Sequence, residues 1–278
     1  MLGLDRGQRV AGGRLGLGVK IGYGVGSVGT GMFATVPGLL LLYYLTDTLG
    51  VSAQLAGFAV VAPKLWDVVT DPLMGVLSDR TRSRWGRRRP WLLAGAVALP
   101  LAFALLFAAP TSTPMAGFWW VLVFYTLAAT AFTAFSVPYV SLPAEMTSDP
   151  EDTTRLVSFR IAAMTVGLLL AGALAPLVVK SAGGGAFGYR VMGLTVAGLC
   201  LAAMLGSVAG TWRVQLREEP APGGIGDALG EVVAAARNVP FRQLWSAYFL
   251  QLVGVGCLLA NVPYLARYLL GGDESTVT

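Results

Sequence analysis

Lys64, Asp67 and Asp71 stand in an otherwise apolar run from Ala53 to Leu77, and charges in such a run are where chemistry is to be sought. Asp67 and Asp71 are four apart, so a helix sets both carboxylates on one face, about 6 Å apart along its axis. Counted back from Asp79 at the polar end, Asp71 sits roughly 12 Å and Asp67 roughly 18 Å into an apolar layer. Each such charge costs about 2.5 to 3.5 kcal/mol, and these residues usually face an interior or a watered path. Lys64, three residues before Asp67, can pair with it, which leaves one carboxylate unmatched within this helix. A Na⁺ or H⁺ would neutralise that charge. Carboxylate oxygens suit hard cations, and Pro72, which lacks an N–H, frees the Val68 carbonyl nearby. The alternative is structural, with both acids pairing to Lys64 and Arg160 to hold helices together.

Those acids need elements that can carry them through lipid, and the composition supplies them. Of 278 residues 55% are hydrophobic and only 13% charged, against about 25% in a soluble domain. A mean hydropathy of +0.66 means more apolar surface than one soluble core can cover. Seven stretches reach the roughly 20 apolar residues of a membrane span. They run over 19–44, 53–77, 90–109, 117–142, 156–179, 192–212 and 241–270. The connector from Asp79 to Arg89 holds six arginines, whereas Thr46 to Ser52 and Pro110 to Met115 hold none, so the N-terminus is expected in the cytoplasm. Arg6, Arg9 and Arg14 precede a run too long for a signal peptide. The expected organisation is a cytoplasmic tail (1–15), six spans (16–213), a cytoplasmic central loop (214–240), a seventh span (241–270) and a tail (271–278).

Several chemistries are excluded. The chain has no His, hence no Ser/His/Asp triad, His-bound metal or imidazole relay. Cys200 and Cys257 lie alone in separate apolar stretches. The net charge of +5 is concentrated in connectors, as topology requires, and does not point to nucleic acid. An intramembrane aspartyl protease needs acids on different helices, whereas Asp67 and Asp71 share one. The series Gly22, Gly24, Gly26, Gly29 and Gly31 lacks the preceding strand and the Lys-Ser/Thr end of a phosphate loop, and reads as tight helix packing. Asp149, Glu151 and Asp152, with Arg155, read as a solvated connector or as a contact to the arginine-rich loop.

The connector has a pattern beyond its charge. Gly75 permits close helix approach, Asp79 and Arg80 offer a charge pair at the membrane surface, and Pro90 starts the next helix where its missing N–H costs little. Arg84, Trp85 and Gly86 follow. The run from Leu65 to Gly75 and on through Arg84-Trp85-Gly86 resembles the glycoside-pentoside-hexuronide:cation symporters, the melibiose-permease branch of the major facilitator superfamily. Gly22 to Gly26, Tyr43 to Asp47, and Pro138-Tyr139 with Glu145 and Arg160 agree with it, so the resemblance runs from about Gly22 to Trp212.

The resemblance implies an all-α membrane fold, the six-helix N-terminal bundle of a major facilitator built from two inverted three-helix repeats, plus a seventh helix. It assigns Asp67, Asp71 and Thr133 to a cation site, and Gly75, Asp79, Arg80, Arg84 and Gly86 to the cytoplasmic motif. Tyr23, Ser27, Lys64, Ser136, Tyr139 and Arg160 become the expected contacts of a solute. The sugar-binding acids of melibiose permease match Gly31 and Ser136, and a lysine beside the first matches Thr30, so a galactoside is not implied. The expected activity is symport of a sugar or similar solute with Na⁺ or H⁺ in the cytoplasmic membrane, with no other cofactor, and no enzyme reaction. The alternative is a half-transporter without transport of its own. On that reading the chain alone accumulates no sugar, and its partner is a missing second half or another copy.

Overall fold

The computed structural model describes residues 15–214, 216 and 237–268. The expected N-terminal tail with Arg6, Arg9 and Arg14, most of the central loop and the tail after Tyr268 lie outside these residues. The described residues form seven long helices: α1 (Leu17–Val36), α2 (Ala53–Arg80), α3 (Arg89–Leu106), α4 (Pro114–Met146), α5 (Pro150–Ser181), α6 (Gly185–Thr211) and α7 (Val239–Tyr268). Five membrane-crossing helices, counting α1 with its continuation to Leu41, satisfy both length and apolarity among the described residues. The charges Lys64, Asp67, Asp71, Asp79 and Arg80 set α2 apart from them.

Helix contacts follow a two-fold pattern. Helix α1 packs on α5 and α6, α4 packs on α2 and α3, and α3 packs on α6. Exchanging α1–α3 for α4–α6 maps this set onto itself, which is the signature of two repeats of the same three-helix unit. Helix α7 touches the bundle through the Pro37–Leu41 turn.

The glycine series works as packing. A methyl group on Gly31 would come within 2.5 Å of the Met164 carbonyl oxygen, and one on Gly22 would meet the Gly210 backbone at 3.0 Å. Gly167 on α5 meets Val28 in the same way, so α1 and α5 approach backbone to backbone. Only small residues allow this, and lipid offers no hydrophobic drive that a poorer fit could draw on.

Three boundaries differ from expectation for local reasons. Helix α1 does not stop at Val36: Pro37 has no N–H for the next α-turn, and the chain continues in wider π-turns over Pro37–Leu41 and Tyr44–Thr48. Helix α4 begins at Pro114, capped by Thr113, whose Oγ1 accepts from Ala116 N at 3.2 Å, and it runs on to Met146, which puts Glu145 on the helix. Helix α5 begins at Pro150, capped by Asp149, whose carboxylate accepts from Glu151 N at 3.1 Å. Glu151, Asp152 and Arg155 are therefore helical, and do not form a loose connector.

Candidate functional site

The α2–α4 seam brings the expected cation residues together. Thr133 is fully buried and donates from Oγ1 to Asp71 Oδ1 at 2.7 Å. One turn away Trp66 Nε1 donates to Thr130 Oγ1 at 3.0 Å, so the seam is cross-linked twice. Asp67 is half-buried, and its Oδ1 is closed from solvent without a hydrogen-bond partner. Asp71 remains exposed on one side. Pro63 and Pro72 both sit inside α2, where each removes a backbone donor. Two carboxylates, one hydroxyl and freed carbonyl oxygens make an oxygen set suited to a hard monovalent cation or a proton.

Lys64 does not close the charge balance as expected. Among the described residues no ion pair at 4 Å or less joins Lys64 to Asp67 or Asp71, although Lys64 acts on Asp67 electrostatically and also approaches the Tyr125 hydroxyl. Arg160 is likewise not paired with either acid; it lies within electrostatic reach of the phenols of Tyr23 and Tyr139.

The residues expected to contact a solute divide. Tyr23, Ser27 and Tyr139 are buried and turn to one another. The Tyr23 hydroxyl donates to the Tyr139 carbonyl at 3.2 Å, the Tyr139 hydroxyl donates to the Tyr23 carbonyl, and Ser27 Oγ lies 3.0 Å from the Tyr139 hydroxyl. Ser207 of α6 adds a bond to the Tyr23 carbonyl at 3.1 Å. The two rings stack at 4.6 Å, and Phe135 extends the stack at 5.0 Å. In this conformation their polar atoms are occupied, whereas Lys64, Ser136 and Arg160 keep access to solvent.

At the arginine-rich end the structure chooses partners that spacing does not foretell. Asp79 is met by Arg88, Nη2 to Oδ1 at 3.1 Å, a partner nine positions on that the spacing within α2 does not announce. Successive helical residues diverge, while the turn after α2 brings Arg88 back over its end. Glu145 of α4 is 2% exposed, accepts from Arg87 Nε at 2.6 Å and lies 2.9 Å from Arg88 Nε. Glu145 therefore supplies an acidic contact to the arginine-rich loop, for which the expected candidates are Asp149, Glu151 and Asp152. Of those, Asp149 caps α5, and Glu151 pairs with Arg155 at 2.6 Å. Asp152 binds Lys20 at 2.6 Å and Leu15 N at 2.7 Å. Gly75 is not a point of close approach, since a methyl group there would have Val137 at 3.9 Å. Gly86 holds φ at +90°, which a side chain would strain, and Arg84 lies over Trp85 at 5.4 Å.

The buried Lys20–Asp152 pair was not foreseen. A lysine one turn into an apolar span was its one visible signal, because its partner stands 132 residues away.

A sequence model of the family described as MFS/sugar transport protein matches residues 22–278. An uncharacterized symporter of Synechocystis is 38% identical over 157 residues, covering 54% of this chain and 29% of its own length. The inner membrane symporter YicJ of Escherichia coli is 33% identical over 165 residues, covering 59% and 36%. These matches span about a third of the relatives' own length. The crystal structure of a D-xylose-proton symporter superposes with a TM-score of 0.63 at 17% identity, over 94% of this chain and 63% of that one, and so shares the fold.

Proposed function

The chain belongs to the MFS/sugar transport family, a multi-pass membrane family of transporters and not of enzymes, and on that premise we propose that it serves cation-coupled symport of a sugar, glycoside or similar small organic solute. Asp67, Asp71 and Thr133 hold the Na⁺ or H⁺, and Lys64 tunes the site from its position beside them. The solute meets Lys64, Ser136 and Arg160 near the midplane, with the Tyr23–Tyr139 stack as a fixed wall behind them. Rocking against a second helical half exposes the site to each side in turn.

One observation carries this reading: the Thr133 hydroxyl binds Asp71 across two helices while Asp67 keeps a buried oxygen with no partner. A purely structural network would spend both acids on cations, as the arginine-rich end does. The exposed face of α2, with Lys64, Asp71 and the apolar Leu65, Val68 and Val69, supports a protein surface as its neighbour, because lipid penalises the charges. That surface belongs to a second half or to another copy.

Uptake into liposomes under an imposed Na⁺ or H⁺ gradient tests the coupling in a transport-competent form. Asp67→Asn or Asp71→Asn should abolish gradient-driven accumulation while sparing solute exchange. Unchanged accumulation in both variants would sink the assignment. We further propose that the N-terminus and the Arg80 to Arg89 loop face the cytoplasm across the inner membrane, with Pro110 to Met115 outside. A cysteine at Thr113 should label from outside intact cells and one at Ser83 should not, and the reverse pattern overturns this orientation.

A further inference from the structure

At the arginine-bearing end two hollows meet at one side chain. Trp212 lines an open groove of about 460 Å³ with Leu93 of α3 and Leu205, Val208, Ala209 and Arg213 at the end of α6. Arg89 lies over the same indole, 5.2 Å from its centroid, and lines a second hollow of about 140 Å³ with Arg84, Trp85 and Glu145. Trp85 and Trp212 pack edge to face at 6.0 Å, which joins the two. The groove is apolar along its walls and basic at its end.

The cations there are of two kinds. Arg87 and Arg88 are taken by Glu145 and Asp79, and Arg89 donates to the Val214 carbonyl at 2.6 Å. Arg84 and Arg213 are exposed, and among the described residues neither has a carboxylate partner. Arg213 and Trp212 therefore stand at the apolar groove itself, and Arg84 and Trp85 at the hollow that adjoins it through the two packed indoles. A soluble anion has no use for the groove, and an uncharged chain has none for the arginines. One ligand class uses both.

We propose that the α3–α6 groove binds one anionic phospholipid, with an acyl chain along Leu93, Leu205, Val208 and Ala209 and the phosphate met by Arg84 and Arg213. Tryptophans at this level belong to the interfacial belt, and guanidiniums near it draw anionic headgroups. The bound lipid then bears on Trp212 and on the Arg89 clamp that ties the end of α6 to the start of α3.

Native mass spectrometry of the delipidated full chain in neutral detergent tests this, with dioleoyl-phosphatidylglycerol and dioleoyl-phosphatidylcholine as probes. Each arginine near an anionic group is worth roughly a fivefold gain in affinity, so one site should prefer phosphatidylglycerol by on the order of twentyfold. Replacing both arginines (Arg84→Gln with Arg213→Gln), at exposed positions that leave the fold intact, should bring the two lipids to parity. Ala209→Trp, which fills the groove, should lose the retained lipid of either class. Glycerol 3-phosphate, which has no tails, should leave the lipid in place. Equal retention of the two lipids by the unaltered chain, a preference that survives loss of both arginines, or displacement by glycerol 3-phosphate would each overturn the proposal.

Discussion

The acids at the arginine-rich end and the acids inside α2 are the same chemistry put to opposite use. Glu145 and Asp152, 2% and 1% exposed, are each satisfied by cations distant in the chain: Arg87 and Arg88 in the turn before α3 for one, Lys20 of α1 for the other. Asp67 and Asp71 have no ion-pair partner at contact distance among the described residues, and one of their oxygens is buried and unmatched. A buried acid that is fully paired contributes to holding the helices in register. One that lacks its pair leaves a demand for positive charge that only a mobile ion, a proton or a bound group can meet.

The comparison breaks most sharply through function. Asp71→Asn should remove gradient-driven uptake completely while leaving thermal unfolding in detergent unchanged or slightly raised, because no native pair is lost. A clear fall in stability with transport retained would put Asp71 in the class of Glu145.

The reverse holds at the rim. Asp152→Asn takes from Lys20 its carboxylate, and Glu145→Gln removes the charge that Arg87 and Arg88 share while Arg88 keeps Asp79, so each should cost about 3 to 5 kcal/mol of stability, as breaking one side of a buried pair does. Steric-trap unfolding would measure it, and a loss below about 1 kcal/mol, the range of an exposed pair, would show that these pairs are solvated in the membrane protein.

A smaller effect concerns the frame on which both groups rest. Gly167→Ala and Gly31→Ala push methyl groups into opposing backbone on the α1–α5 contact, for an expected cost of about 1 to 3 kcal/mol, while Gly75→Ala, with open space around it, should cost little or nothing. Equal stability of all three variants would contradict the close approach.

The smallest effect is at Thr133→Val, which keeps the shape and removes the bond to Asp71. It should cost about 1 kcal/mol of stability and a measurable part of the cation affinity. Unchanged cation dependence would remove Thr133 from the site while leaving the two acids in it.

Much of this was open to sequence alone, for a physical reason. Lipid offers no hydrogen bonds, so each spanning stretch must be helical, and hydropathy with arginine placement marks the helices without knowledge of their packing. The 3.6-residue period likewise puts Asp67 and Asp71 on one face whatever surrounds them. What only the tertiary structure decided is who meets whom. Asp79 takes Arg88 from beyond the end of α2, Asp152 reaches Lys20 across 132 positions, and Tyr23 and Tyr139 spend their hydroxyls on each other. The helix ends also moved, since Asp149-Pro150 caps α5 earlier than hydropathy marks its start. Pairing depends on helix crossing and on glycines that let backbones touch, and these bring together residues whose separation in the chain carries no local signal.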